Sequence, residues 1–282
     1  MIIDLHTHST ISDGSLTPEE LVEKAVGNGV EVLAMCDHDT TDGQKRFFDS
    51  CDKFNIKGIV SIEVSAVYDG GNCHLLGYGV SDKSLELEKL LAKVRNSRSE
   101  RNEKIIKNLN SVGINITMDE VLEIAGGDVI ARPHIARAML QKGTVESVQE
   151  AFDKYLTKGK IGYIHRYQID PEIAVKILTE AGAKVVLAHP TQLNSSEEII
   201  DKFLSKLKKV GLWGLEVYTP YTPKNLIDPY INIAKKNGLK ITAGSDFHGA
   251  SKPAHFLGEL RNGEKINSSL KDLVSIDELL GR

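Results

Sequence analysis

Seven short apolar runs, most of them separated by amphipathic stretches of helical length, constrain this 282-residue chain more than any other feature. The runs cover residues 2–5, 32–36, 58–64, 74–79, 184–188, 213–217 and 239–243. Several stretches between them open on strong helix-start signals. Thr17-Pro18-Glu19-Glu20 offers an N-cap, a proline at the first helical position and a glutamate at the third, the pattern of a capping box. Asp170-Pro171-Glu172 and Ser195-Ser196-Glu197-Glu198 open two later helices in similar fashion. Alternation of this kind implies right-handed crossovers and a parallel sheet. Seven strands at this length predict an α/β fold in the form of a closed or nearly closed β/α barrel.

One region breaks the rhythm. Residues 83–158 carry helical patterning with breaks at 111–115 and at Gly126-Gly127, and no convincing strand. The reading is a barrel formed by residues 1–82 and 159–282, with 83–158 as a helical insertion over its mouth. The first helix of the insertion holds Lys93, Arg95, Arg98, Arg101, Lys104 and Lys107 against Glu100 and Glu103, a basic run that charge alone explains as a solvated face.

That run contrasts with a chain of 35 Lys and Arg against 39 Asp and Glu, whose net charge of −4 argues against bulk binding of duplex DNA. No run approaches a membrane span, and the N-terminus lacks the pattern of a secretory signal. The three cysteines, Cys36, Cys51 and Cys73, show no CxxC spacing and read as small core residues. A reduced, cytoplasmic setting is the expectation, with no obligate protein partner implied.

The chemistry lies where the strands end. His6 and His8 follow the first run, and their spacing puts both imidazoles on one face of a strand. Alone, the pair reads as well as a solvated terminus as half a metal site. Asp37-His38-Asp39 follows the second run, Glu63 closes the third, His189 follows the fifth, and Asp246 and His248 follow the last. Five strands thus end in residues able to ligate a metal, at the rim where β/α barrels build their sites. With Asp13 and His74, and taking His38 from its triplet, the set numbers nine: His, Asp and Glu without Cys, suited to Zn, Mn or Fe and too rich for one ion. Two or three divalent ions sharing a hydroxide would clamp an in-line displacement at phosphorus.

In order, the stretches DLHTHSTISDGSLTPEEL, CDHDTTDG, GIVSIEVSA, HLLGYG, RPHIARAML, LAHP and GSDFHG resemble the polymerase-and-histidinol-phosphatase (PHP) family across nearly the whole chain. The likeness is greatest to its stand-alone phosphoesterases that cleave 3′,5′-nucleoside bisphosphates and short 5′-phosphorylated RNA. It implies a distorted seven-stranded β/α barrel with a helical insert, and a trinuclear site. His6, His8, Glu63 and Asp246 would hold one ion and Asp13, His38 and His248 the second. Glu63 would bridge to a third, with His74 and His189. Some members carry His where this chain has Asp13. By pattern His74 begins its strand, and only the resemblance includes it.

The resemblance also assigns the insert. Arg98, Arg101 and Asn102 lie within a helical turn, and Arg132 and His134 follow in RPHIA. Guanidinium forks suit phosphate oxygens, and the family uses such residues for a phosphate that is not cleaved. His134 reads as a metal ligand or a substrate group; its place in the insert favours substrate contact or leaving-group protonation. His165 and His255 read as structural. The expected activity is metal-dependent hydrolysis of a small nucleotide's phosphate ester, the substrate being a bisphosphate or the 5′ end of short RNA. The competing readings are a histidinol-phosphate-type monophosphatase, C–N hydrolysis on a similar barrel, and a metal-binding regulatory module without turnover.

Overall fold

The structure, a computed structural model, describes residues 1–69, 71–81, 84–125, 130–164 and 169–280. In chain order it holds β1 (Ile2–Thr7), α1 (Pro18–Gly27), β2 (Val30–Met35), α2 (Gln44–Phe54), β3 (Lys57–Ala66) and β4 (Cys73–Tyr78). Four helices follow: α3 (Leu85–Ser111), α4 (Met118–Ala125), α5 (Arg132–Gln141) and α6 (Val148–Ala151). The rest is α7 (Pro171–Glu180), β5 (Lys184–Leu187), α8 (Glu197–Lys208), β6 (Gly214–Tyr218), α9 (Lys224–Lys236), β7 (Lys240–Ala243) and α10 (Ile276–Leu280).

The strands form one seven-stranded sheet in the order β1 to β7. Beyond β7, Phe247 bridges Thr7, and its carbonyl accepts the His8 N–H at 2.9 Å, so the two ends of the sheet meet. The arrangement is the distorted seven-stranded α/β barrel expected, with one correction. The sheet is not wholly parallel: β4 runs antiparallel to both β3 and β5. Residues 67–72, which join β3 to β4, are too few for a helical crossover, so the chain must turn back on itself. Gly71 lets this link pack closely on the segment after β5, since a Cβ there would fall 2.0 Å from the Gln192 carbonyl oxygen.

Helix starts follow the local chemistry. The Thr17 hydroxyl accepts the Glu20 N–H at 3.3 Å while the Glu20 carboxylate accepts the Thr17 N–H at 2.8 Å, a cap that contributes roughly 1 kcal/mol. Asp170 caps α7 and Ser196 caps α8 by accepting backbone N–H groups of the first turn with their side chains. The barrel core joins apolar faces of all seven strands to α3 and α7–α10, with Leu5, Val64, Leu75 and Leu187 fully buried. Helices α3–α6 enclose a separate apolar cluster around Ile105, Leu109, Ile135 and Met139, and no strand lies among their described residues. All three cysteines are buried and free, and burial pushes the Cys36 thiol up to about 12. Among the described residues no helix is long and apolar enough to cross a membrane.

Candidate metal centre

β1 carries His6, and His8 follows one residue past its end; both are fully buried. The β2–β3 ladder continues past β2: Glu63 N–H donates to the Asp37 carbonyl and Asp39 N–H to the Glu63 carbonyl, which seats His38 beside Glu63. His189 follows β5, and Asp246 and His248 follow β7. Asp39, His189 and Asp246 adopt positive φ angles of 56°, 26° and 50°, so the chain turns sharply at three points of the rim. Because β4 is reversed, its first residues lie where the other strands end. His74 therefore reaches the same rim from the start of a strand.

Glu63 stands at the centre. Its Oε2 lies 3.4 Å from His6 Nε2, 3.2 Å from His8 Nε2 and 3.1 Å from His38 Nδ1. Its Oε1 lies 2.9 Å from His74 Nδ1 and 3.2 Å from His189 Nε2. Asp246 Oδ1 stands 3.2 Å from His8 Nε2 and 3.5 Å from His6 Nε2. Asp13 Oδ1 is 3.2 Å from His248 Nε2 and 3.8 Å from His38 Nε2.

Three groups result, each with ligand atoms within 4.8 Å of one another: His6, His8, Glu63 and Asp246; His8, Asp13, His38 and His248; His38, Glu63 and His74. His189 joins the last through Glu63 Oε1. The residues fit divalent ions on two counts. The donors are imidazole nitrogens and carboxylate oxygens, as Zn, Mn or Fe accept. And His6 Nε2, His8 Nδ1 and Nε2, His38 Nδ1, Glu63 Oε2, His74 Nδ1 and His248 Nε2 are buried without a hydrogen-bond partner, an expensive arrangement unless a cation satisfies it.

The electrostatics of the cluster are polarised. Burial opposes charge on Glu63, yet the His38, His74 and His6 imidazoles hold its carboxyl well below the usual range. Burial likewise disfavours charge on His8, but Asp246 and Glu63 overcome it and raise the imidazole to about 9. His248 is pushed down to about 4 by burial and by its neighbours His8 and Lys252.

Several groups hold this ring in place, and the sequence reading gave none of them that role; Asp37, read there as metal-capable, is one of them. Glu216 Oε1 lies 2.9 Å from His6 Nδ1, and its Oε2 accepts the His189 N–H at 2.8 Å. A Cβ at Gly244 would meet His6 Cβ at 2.2 Å and Glu216 Oε1 at 2.8 Å, so only glycine admits this packing. Asp37 accepts from Ser9 Oγ at 2.6 Å and Ser12 Oγ at 2.5 Å, fixing the loop that carries Asp13. Asp4 accepts from the Ser245 N–H at 2.9 Å and hydroxyl at 2.6 Å, tying β1 to the loop of Asp246. Tyr221 Oη and Lys252 Nζ donate to Asp246 Oδ2 at 2.7 and 2.6 Å, turning Oδ1 toward the histidines. The available signal was an acid inside an apolar strand, as in Gly214-Leu215-Glu216-Val217.

The polar residues of α3 and α5 are placed differently. Arg98 Nε donates to Asp39 Oδ2 at 2.9 Å, and Nη2 bonds both Asp39 and, at 3.2 Å, Ser65 Oγ. Arg101 Nη2 donates to Asn102 Oδ1 at 2.7 Å, and Asn102 Nδ2 to the Ile130 carbonyl at 3.0 Å. Arg132 donates to the Leu156 carbonyl at 3.0 Å and lies against the Phe152 and Tyr163 rings. His134 is fully buried; its Nδ1 accepts the Ala131 N–H at 3.2 Å, and burial pushes its pKa down to about 4. Arg137, which sequence reasoning left unassigned, donates to Ser251 Oγ at 2.7 Å and so pins α5 to the rim. His255 Nδ1 lies 2.9 Å from the Ser245 carbonyl oxygen; His165 lies outside the described residues.

A seven-stranded α/β barrel with a His-Asp-Glu ring at one mouth has known counterparts. Residues 4–220 match the PHP domain, and the chain belongs to that family. A 5′-3′ exoribonuclease of Haemophilus influenzae is 33% identical over 87% of this chain and 89% of its own length. A 3′,5′-nucleoside bisphosphate phosphatase of Chromobacterium violaceum is 30% identical over 91% of this chain and 90% of its own. A solved structure from Bifidobacterium adolescentis, described as a metal-dependent phosphoesterase, superposes with a TM-score of 0.85 at 29% identity, covering 99% of this chain and 98% of that one. By class this chain is a metal-dependent phosphoesterase.

Proposed function

We propose that this phosphoesterase hydrolyses a phosphate ester of a small nucleotide, a 3′,5′-nucleoside bisphosphate or the 5′ end of a short RNA. The observation that carries the reading is Glu63, one buried carboxylate shared by two candidate metal groups and flanked by five imidazoles. His6, His8, Glu63 and Asp246 would hold one ion. Asp13, His38 and His248, with His8 in reach, would hold a second, and Glu63 with His74 and His189 or His38 would hold a third. Bound divalent ions supply a nucleophile at neutral pH and offset charge at the phosphoryl group.

The protein's own groups do the rest. His134 is neutral at pH 7 and its Nδ1 accepts a backbone N–H, so its proton sits on Nε2. That nitrogen is buried without a partner, and it donates a hydrogen bond to a phosphate or leaving-group oxygen rather than acting as an imidazolium acid. Arg98, Arg101, Asn102 and Arg132 form the wall for the second phosphate, presented by residues 83–158 over the barrel of 1–82 and 159–282.

Metal-free protein reloaded separately with Mn, Fe or Zn tests this against nucleoside bisphosphates, monophosphates and 5′-phosphorylated dinucleotides. The expected result is kcat/KM at least about tenfold higher when the second phosphate is present, as a charge-assisted contact requires. Preference for monophosphates overturns the substrate. Stoichiometric metal without hydrolysis overturns the enzyme.

A further inference from the structure

Beside the metal centre lies a groove of about 740 Å³, lined by Pro220, Tyr221, His255, Phe256, Leu260 and Arg261 among others. We propose that it receives the nucleobase of the substrate by stacking, an inference that rests on the nucleotide reading above and names the part of the molecule that reads it.

The groove and the metal centre share a wall. Tyr221 donates to Asp246 on one side. Its ring stands edge-on to His189 at 5.6 Å and tilted against His255 at 4.8 Å. A continuous row of rings therefore leads from the metal-facing His189 out to His255 and the groove. There Phe256 is 57% exposed and offers ring surface to the groove.

The occupant must be flat, aromatic and attached to a phosphate ester lying at the rim, which describes a nucleoside. Stacking on exposed rings is how proteins hold bases without reading their edges. Two of the polar side chains here make bonds within the protein: Arg261 Nε donates to the Pro220 carbonyl, and Glu259 pairs with Lys265 at 2.6 Å. Holding by stacking predicts tolerance of any base, with purines favoured for their larger stacked area.

Two measurements test this. The first is saturation-transfer NMR with adenosine, which needs no turnover. In the wild type the base protons receive more saturation than the ribose protons; Phe256→Ala abolishes this and Phe256→Tyr restores it. The second compares adenosine 3′,5′-bisphosphate with the base-free ribose 3,5-bisphosphate, the latter expected to have kcat/KM about tenfold lower for want of one stacked base. Thermal unfolding of both variants checks that the fold is intact. Base protons that respond alike in wild type and Phe256→Ala overturn the groove, and so do equal rates for the two bisphosphates. Base saturation lost with Phe256 while neither bisphosphate is hydrolysed supports the groove and overturns the phosphatase reading instead.

Discussion

The rim of the barrel and the basic face of α3 and α5 are both crowded with charge, but they differ in what their polar atoms already touch. At the rim, seven buried side-chain atoms on six residues lack hydrogen-bond partners, and the carboxylates converge on imidazoles, with Lys252 held on the far oxygen of Asp246. On the helices, the guanidinium of Arg98 is bonded to Asp39 and Ser65, and those of Arg101 and Arg132 to Asn102 and a carbonyl. The first pattern is costly as it stands and becomes favourable only with an added cation. The second already serves the fold, so its guanidiniums meet a phosphate only with the N–H groups those bonds leave over. Charge density alone does not mark a metal site; unmet hydrogen-bonding capacity does.

The largest effect should come from the atom set that the rim shares. Glu63→Gln keeps the shape and removes the charge common to two groups. It should lower bound metal by more than one equivalent and cut kcat by about a thousandfold or more. Elemental analysis alongside turnover decides it, and full metal content at normal rate would mean that the rim's unpaired atoms do not mark a metal site.

Arg98→Met probes the other side. Removing the cation from a buried pair costs about 3–5 kcal/mol, so denaturant unfolding should show a loss of that order. A rise in KM with stability unchanged would make Arg98 a substrate group first and a structural one second. His134 adds a pH-dependent version. It faces Asp13, Arg137 and Arg98, and burial takes its pKa from 6.5 to about 4. The unfolded chain binds this proton first as pH falls. Stability is therefore present above pH 6.5 and lost toward pH 4, by on the order of 3 kcal/mol. His134→Gln should flatten that part of the wild-type slope, seen as a smaller difference in unfolding free energy between pH 7 and pH 4.5.

These contrasts also explain what the sequence made legible. The seven strands and the caps of α1, α7 and α8 are local, set by apolar alternation and by an oxygen three residues ahead of a backbone N–H. Metal-capable residues at strand ends are local too. Strand direction is not: a run of apolar residues reads the same either way. The reversal of β4 appears only in the six-residue link before it. That reversal is why His74, first in its strand, stands 2.9 Å from Glu63 like residues that come last in theirs. The left-handed turns at His189 and Asp246 were equally hidden, because neither residue type announces such a backbone.

Glu216 is the case where the comparison can be sharpened most finely. It sits two residues before the end of β6, inside a fully buried run, and holds His6 by its ring and His189 by its backbone. Such an acid fixes which imidazole nitrogen is free and raises its basicity, and losing it typically costs about 10–100-fold in metal affinity or activity. Glu216→Gln should therefore weaken metal binding by that factor, measured by competition with a chelator, while leaving KM for substrate near its original value once metal is saturating. Gln can still accept the His189 N–H, so the fold should hold. If affinity is unchanged but thermal stability falls, Glu216 belongs with Arg98 among the groups that hold the barrel, and the boundary between rim and scaffold moves inward to Glu63.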